Sequence, residues 1–172
     1  MNLENRSFTK KQLMALNPNI PLDVLRELAK DEDEDVRRYV AKNPSTPIDL
    51  LQKLAKDEDG NIRQNVAYNP STPEDTLQEL ATDENMWVRR YIARNSTTSL
   101  NILLDLAKDE FWRVRYNVTL NSKASSKILV ILFEHEKSLR KPNKYIIRNL
   151  YKHKNLPEFA KRVIETLYTE KL

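Results

Sequence analysis

A chain of 172 residues that is 40% apolar and 31% charged is long enough for about one domain and has the composition of a soluble protein with a modest core. It contains no cysteine, which excludes disulfides, thiolate metal sites, iron–sulfur clusters and thiol catalysis. The net charge of +4 conceals an asymmetry: residues 1–120 hold 17 Lys/Arg against 20 Asp/Glu, residues 121–172 hold 12 against 5, so only the C-terminal third favours anions.

The opening stretch MNLENRSFTKK lacks the apolar segment of a signal peptide, and no run approaches the ~18 apolar residues of a membrane span. The expected location is cytoplasmic, with any membrane role confined to the surface. From Asn17 a 26-residue unit repeats without a gap: NPNIPLDVLRELAKDEDEDVRRYVAK, NPSTPIDLLQKLAKDEDGNIRQNVAY from Asn43, NPSTPEDTLQELATDENMWVRRYIAR from Asn69 and NSTTSLNILLDLAKDEFWRVRYNVTL from Asn95. A fixed period of that length marks a stacked array. Lys11, Met14, Ala15 and Asn17 match the last columns of a unit, so residues 1–16 read as a half unit capping the N-terminus. The expected organisation is one solenoid domain over residues 1–172. It has that cap, four regular repeats over 17–120, and a degenerate repeat with a basic cap over 121–172.

Each unit predicts two helices. Thr46 or Thr72 is placed to cap the first, Pro47 or Pro73 to occupy its first position, and Asp49 or Asp75 to complete a box-like start that also suits the positive end of the helix dipole. Leu25, Leu28 and Ala29, repeated as Leu51, Leu54 and Ala55, form one apolar stripe. The second helix carries Val36, Val40 and Ala41, repeated as Ile62, Val66, Ala67 and Val88, Ile92, Ala93; the following Asn-Pro ends it in the first two copies. Five or so aliphatic side chains do not offset the ordering of 26 backbones, so each pair must lean on its neighbours.

After Asn121 the pattern decays. SKASSKILVILFEHE keeps the first-helix spacing through Ile128, Leu129 and Leu132, and an insertion at Leu139–Asn143 containing Pro142 displaces the next helix to Lys144–Lys152. Pro157 then opens an amphipathic helix with Phe159, Val163, Ile164 and Leu167. Gly60 is the sole glycine, which leaves no phosphate-cradling loop.

The columns Asn-Pro-x-Thr-Pro, Leu-x-x-Leu-Ala-x-Asp and Val-Arg-x-x-Val-Ala-x-Asn resemble the leucine-rich repeat variant family, a helical solenoid family akin to HEAT and armadillo arrays. The match is good over 17–120 and poor over 121–172. The resemblance implies an all-α fold, a right-handed α–α superhelix used for binding, with no shared catalytic machinery. Some members carry a cysteine cluster for an iron–sulfur centre; this chain has none, so that activity is not inherited. HEAT arrays often pair an Asp and an Arg six residues apart, and Asp31/Arg37, Asp57/Arg63, Asp83/Arg89 and Asp109/Arg115 have that spacing.

A structural ladder explains the Asp and Arg columns more cheaply than a ligand groove does. Arg37 borders the buried stripe, where it can bridge Asp side chains or helix-end carbonyls of adjacent units. The Asn column, Asn17, Asn43, Asn69, Asn95 and Asn121, likewise reads as turn chemistry. Candidate binding residues are those outside the apolar stripe of the second helices: Arg38, Tyr39, Lys42; Gln64, Asn65, Tyr68; Arg90, Tyr91, Arg94; Tyr116 and Asn117. Second helices usually line the concave wall of such arrays, and cations mixed with tyrosines hold phosphates or stack on aromatic groups. Met86-Trp87 and Phe111-Trp112 place large apolar side chains in an inter-helix turn of two neighbouring units, where they either pack together or form a contact hot spot. Lys137, Arg140, Lys141, Lys144, Arg148, Lys152 and Lys154, interleaved with Tyr145 and Tyr151, form a candidate polyanion site.

No cofactor or metal is expected. His135 and His153 occur singly and read as surface residues, and no serine-elbow motif is present. The leading expectation is a non-enzymatic scaffold that binds a protein or peptide along the concave wall and the Trp87/Trp112 turns. The alternative is a nucleic-acid-binding module. A remote third is a HEAT-like DNA glycosylase, in which an Asp and aromatic neighbours such as Trp112 excise an alkylated base; the recurrence of the Asp109/Arg115 pair in every unit argues against it.

Overall fold

The computed structural model describes residues 8–168; residues 1–7 of the expected N-terminal half unit and 169–172 of the C-terminal cap lie outside the described residues. Within each unit a seven-residue helix is followed by a nine-residue one. The half unit supplies α1 (Lys10–Leu16), and the repeats supply α2 (Leu22–Leu28) with α3 (Glu34–Lys42), α4 (Ile48–Leu54) with α5 (Gly60–Tyr68), α6 (Glu74–Leu80) with α7 (Met86–Arg94), and α8 (Leu100–Leu106) with α9 (Trp112–Leu120). The decayed region forms α10 (Ser126–Ser138), α11 (Lys144–Lys152) and α12 (Glu158–Tyr168). The fold is an all-helical α–α solenoid, without a strand among the described residues.

The second helices lie flank to flank in the order α1, α3, α5, α7, α9, α11, whereas the first helices mainly touch the second helices beside them. The second helices therefore form the continuous row of the stack. Between the rows runs the apolar stripe expected from the spacing: Leu25, Leu51, Leu77 and Leu103 from the first helices meet Val36, Val40, Ile62, Val66, Val88, Ile92, Val114 and Val118 from the second, all fully buried.

The start of the first helices differs from the expected cap. Pro47 and Pro73 are themselves the N-caps, and no side chain bonds the helix end there. Thr46, Thr72 and Thr98 instead turn backward and donate to the carbonyls of Val40, Val66 and Ile92, at 2.5–2.7 Å, six residues earlier. The reason is burial: the hydroxyls sit inside the angle between two helices, where a last-turn carbonyl of the preceding second helix, already accepting the N–H of the following Asn, has a second lone pair to offer. Side-chain caps belong to the second helices, where Asp33, Asp59 and Asn85 accept from the backbone N–H two residues on.

Two polar ladders set the spacing between units. The Nδ2 of Asn43 donates to the carbonyls of Ala15 and Asn17, and Asn69, Asn95 and Asn121 repeat the pair on Ala41/Asn43, Ala67/Asn69 and Ala93/Asn95. Each Oδ1 accepts the N–H two residues on, so one buried amide holds its own turn and the last turn of the previous unit. On the opposite rim Arg37 donates from Nη1 to the carbonyls of Asp31 and Glu32, and through Nε and Nη2 to both carboxylate oxygens of Asp57. Arg63 and Arg89 repeat this with Asp83 and Asp109. The Asp and Arg six residues apart thus do not pair through their side chains. The guanidinium reads the backbone of its own Asp and the carboxylate of the next unit, a two-sided arrangement suited to its planar donor fork. Lys11 begins the series by binding Asp31 at 2.6 Å.

The register slip is larger than an inserted loop. α10 runs for thirteen residues where α8 runs for seven, because FEHEKS continues the helix instead of breaking it as Leu-Ala-x-Asp does; Pro142 lies in the segment beyond. Glu136, inside that extension, takes the place of the missing Asp and accepts from Arg115 Nε at 2.6 Å. In α12 the buried face is Ala160, Ile164 and Tyr168, with Val163 half-buried; Phe159 and Leu167, expected on the apolar face, are exposed.

Candidate partner-binding face

The side of the second helices turned away from the core is formed by the first, second, fifth, sixth and ninth residues of each helix. On α3 this includes Arg38, paired with Asp35 at 2.7 Å and lying 5.1 Å over the Tyr39 ring. Tyr39 in turn meets Phe8 edge-on at 5.7 Å. From α5 onward the second helices, α5, α7, α9 and α11, contain no Asp or Glu at all. The acids of the regular units are concentrated instead on the first helices and on the connections that feed the Arg ladder.

Two shallow depressions lie along this face. The first, of about 300 Å³, is bounded by Lys42 of α3, Gln64, Asn65 and Tyr68 of α5, and Tyr91 and Arg94 of α7. Tyr68 is 53% exposed and meets Tyr91 edge-on at 5.7 Å. The second, of about 500 Å³, is bounded by Arg90 of α7, Trp112, Arg113, Tyr116 and Asn117 of α9, and Tyr145 of α11. Trp112 stacks on Tyr145 with centroids 6.0 Å apart and planes at 24°, Tyr116 abuts it edge-on, and the Arg113 guanidinium lies 4.7 Å from its centroid. Since Arg90 and Tyr91 are consecutive on α7, the two depressions adjoin.

The aromatic pairs expected in a turn are split by the structure. Met86, Trp87 and Trp112 begin their helices, while Phe111 is the residue before α9. Trp112 and Met86 are half-buried against the core, whereas Trp87 and Phe111 stay about two-fifths exposed. Their partners differ: Trp87 carries Arg90 over its ring at 5.1 Å, Phe111 sits under the ladder residue Arg89 at 5.4 Å, and Trp112 reaches forward to α11.

Residues 9–67 match the family profile described as the Leucine Rich Repeat Variant domain. A solved structure described as a leucine-rich repeat variant with a novel repetitive protein structural motif aligns with it at 29% identity and a TM-score of 0.60, covering 79% of this chain and 52% of its own. The chain therefore spans about half the length of that structure. No curated protein matches.

The seven cations of 137–154 do not form one site. Lys144, Arg148 and Lys152 fall four residues apart on one exposed stripe of α11, in the helix positions that Trp112, Tyr116 and Leu120 occupy on α9, and so continue the second-helix face. Lys137 is tied to Glu134 at 2.6 Å on α10, Arg140 and Lys141 lie in the α10–α11 connection, and Lys154 lies beyond α11. Among the described residues no ion pair engages Lys42, Arg90, Arg94, Arg113, Arg148 or Lys152, and no group of three or more metal-binding side chains forms. No helix among them is long and apolar enough to cross a membrane.

His153 has a structural role where only a surface residue was expected, and His135 is half-buried on α10. His153 follows α11 at the position that Asn121 holds after α9, and its Nδ1 accepts the N–H of Asn155 at 3.1 Å, as the Asn side chains do elsewhere. The signal for this was hidden by the longer α10, which moves His153 off the 26-residue register. Burial, and then the neighbouring Lys154, push the His153 pKa below its ordinary 6.5; burial and Arg115 do the same to His135. Because the folded values lie below the unfolded one, the unfolded chain takes up protons first on acidification. Stability contributed by these two groups is complete above about pH 6.5 and falls as the pH drops below it toward the folded values. His153→Asn restores the residue of the column and is expected to flatten the fall between pH 6.5 and 5 in urea midpoints, leaving the part due to His135. An unchanged slope would show that His153 remains hydrated when charged.

Proposed function

We propose that this chain is a non-catalytic scaffold whose second helices, α3 to α11, bind a segment of a partner protein. The observation that supports this is the run of four helices without an acid, on which tyrosines, Trp112 and unpaired arginines meet in two adjoining depressions. Aromatic and Arg side chains are the usual energetic anchors of protein interfaces, and unopposed charge steers the encounter. The family of repeat domains to which residues 9–67 belong also suits a scaffold role.

Peptide display against the immobilised chain tests the reading. Selected peptides are expected to lose about tenfold or more in affinity on Arg90→Glu/Arg94→Glu or on Tyr145→Ala, changes at accessible side chains that leave the helical circular dichroism intact. Selected peptides that ignore both variants would place the binding surface elsewhere.

A nucleic-acid reading draws on the Lys144/Arg148/Lys152 stripe, which extends the face by three cations in line. Duplex DNA engaging these three gives a log–log salt slope near about −3, shallower than the value of about −6 for all seven cations of the segment. Titration of labelled DNA and RNA at low salt measures it, and salt-insensitive signals would end this reading.

A further inference from the structure

The charge on the second-helix face alternates with a period of two units. At the fifth and ninth helix positions α3 has Arg38 and Lys42, α7 has Arg90 and Arg94, and α11 has Arg148 and Lys152. The helices between them are neutral at the same positions: α5 has Gln64 and Tyr68, α9 has Tyr116 and Leu120. The two depressions fall on these neutral helices, one bounded by Lys42 and Arg94, the other opening beside Arg90 and reaching α11 at Tyr145. Along the row the surface therefore reads cations, aromatic hollow, cations, aromatic hollow, cations.

We propose that the occupant of this face is an extended acidic protein segment whose carboxylates come in clusters about five or six residues apart, with an aromatic or aliphatic side chain midway between clusters. The inference rests on the scaffold reading above and adds the partner's chemistry. The spacing follows from the helices: packed helix axes lie roughly 8–10 Å apart, so cationic helices two units apart are about 16–20 Å from each other. An extended chain covers that distance in about five or six residues at ~3.3 Å each. A nucleic-acid strand bears a charge on every nucleotide, and α5 and α9 offer its phosphates no cation at these positions; the one cation in the second hollow, Arg113, lies over the Trp112 ring. A clustered acidic peptide matches the alternation at both kinds of helix. Arg38 is the weakest member of the set, being already paired with Asp35, so the central pair Arg90/Arg94 is the one to test.

The experiment uses fluorescence anisotropy with the full chain and three labelled probes. The first is a peptide with three Glu pairs about six residues apart and a Phe midway in each gap; the second has the same composition with all Glu contiguous; the third is an oligothymidine of similar length. The spaced peptide is expected to bind about tenfold tighter than the other two. Arg90→Glu/Arg94→Glu should reduce that binding by at least about tenfold, and replacing the middle Glu pair of the peptide with Lys should restore it to the variant. Equal binding of spaced and contiguous peptides, tighter binding of oligothymidine, failure of the charge exchange to rescue, or absence of binding by the spaced peptide overturns the proposal. If peptides selected by display still depend on Arg90, Arg94 and Tyr145 while the acidic probes fail, the scaffold reading stands and only the acidic-segment inference is lost.

Discussion

Glu136→Ala is expected to lower stability by about 3–5 kcal/mol, a large share of the roughly 5–15 kcal/mol that holds a typical domain folded. The Glu136 side chain is 0% exposed and its partner Arg115 almost equally buried. One carboxylate oxygen accepts Arg115 Nε at 2.6 Å and the other accepts the Asn143 N–H at 2.8 Å, which ties α10 both to the fourth unit and to the start of α11. Removing it strands a guanidinium in a low-dielectric site and leaves a backbone donor without its acceptor, and the cost of a half-broken buried pair exceeds the net worth of the intact one. Units in a solenoid depend mainly on their neighbours, so the loss should appear first as early melting of α10–α12, ahead of the N-terminal repeats. Urea titration followed by Trp fluorescence, which includes the Trp112–Tyr145 stack, and by circular dichroism checks this. Midpoints that shift together by less than about 1 kcal/mol would mean that water reaches Arg115. Glu136→Gln keeps an acceptor and should lose less.

Asn95→Ala is the second large effect, expected at about 2–4 kcal/mol. The Asn95 amide donates to the carbonyls of Ala67 and Asn69 at 2.8 and 3.2 Å, and its oxygen accepts from the N–H and hydroxyl of Thr97 at 2.9 and 2.8 Å. Alanine leaves the buried Ala67 carbonyl and the Thr97 N–H without their partner and takes one of two donors from the Asn69 carbonyl, which keeps the Thr72 N–H. Asn95→Asp should be worse, since a carboxylate has no proton to offer and faces both carbonyl oxygens. A denaturant series on the two variants orders them, and Asp equal to or better than Ala would refute the donor role. The effect reaches the binding face as well, because this amide helps to hold α7 against α5 and so sets the gap across which Lys42, Tyr68 and Arg94 face one another.

Sequence reading succeeded where a residue's role is local and recurs. The 26-residue period, the apolar stripes such as Ile62, Val66 and Ala67, and the helix Lys144–Lys152 could be read because helix spacing and turn residues act over a few positions, and repetition averages out accidents. It failed where a side chain chose between a partner near in the sequence and one that stacking brings alongside. Arg63 is six residues from Asp57 and twenty from Asp83, yet its side-chain ion pair is with the distant one, because the next unit presents that carboxylate at the right height. The position of Thr46 before proline predicts a cap, whereas its hydroxyl donates to a carbonyl buried behind it.

The repeat columns by themselves determined an all-helical stacked array, its apolar seam, the turn role of the Asn column and the structural character of the Asp and Arg columns, since each of these follows from residue type at a fixed spacing. Only the tertiary structure decided that Glu136 and His153 substitute for a missing Asp and Asn across a lengthened helix, that Trp87 and Trp112 serve different neighbours, and that three of the C-terminal cations join the tyrosine-lined row. The physical reason is that stacking rotates and translates each unit onto the next. Which side chains share a face then depends on the step between units and on the length of each helix, and neither can be read from a single copy of the repeat.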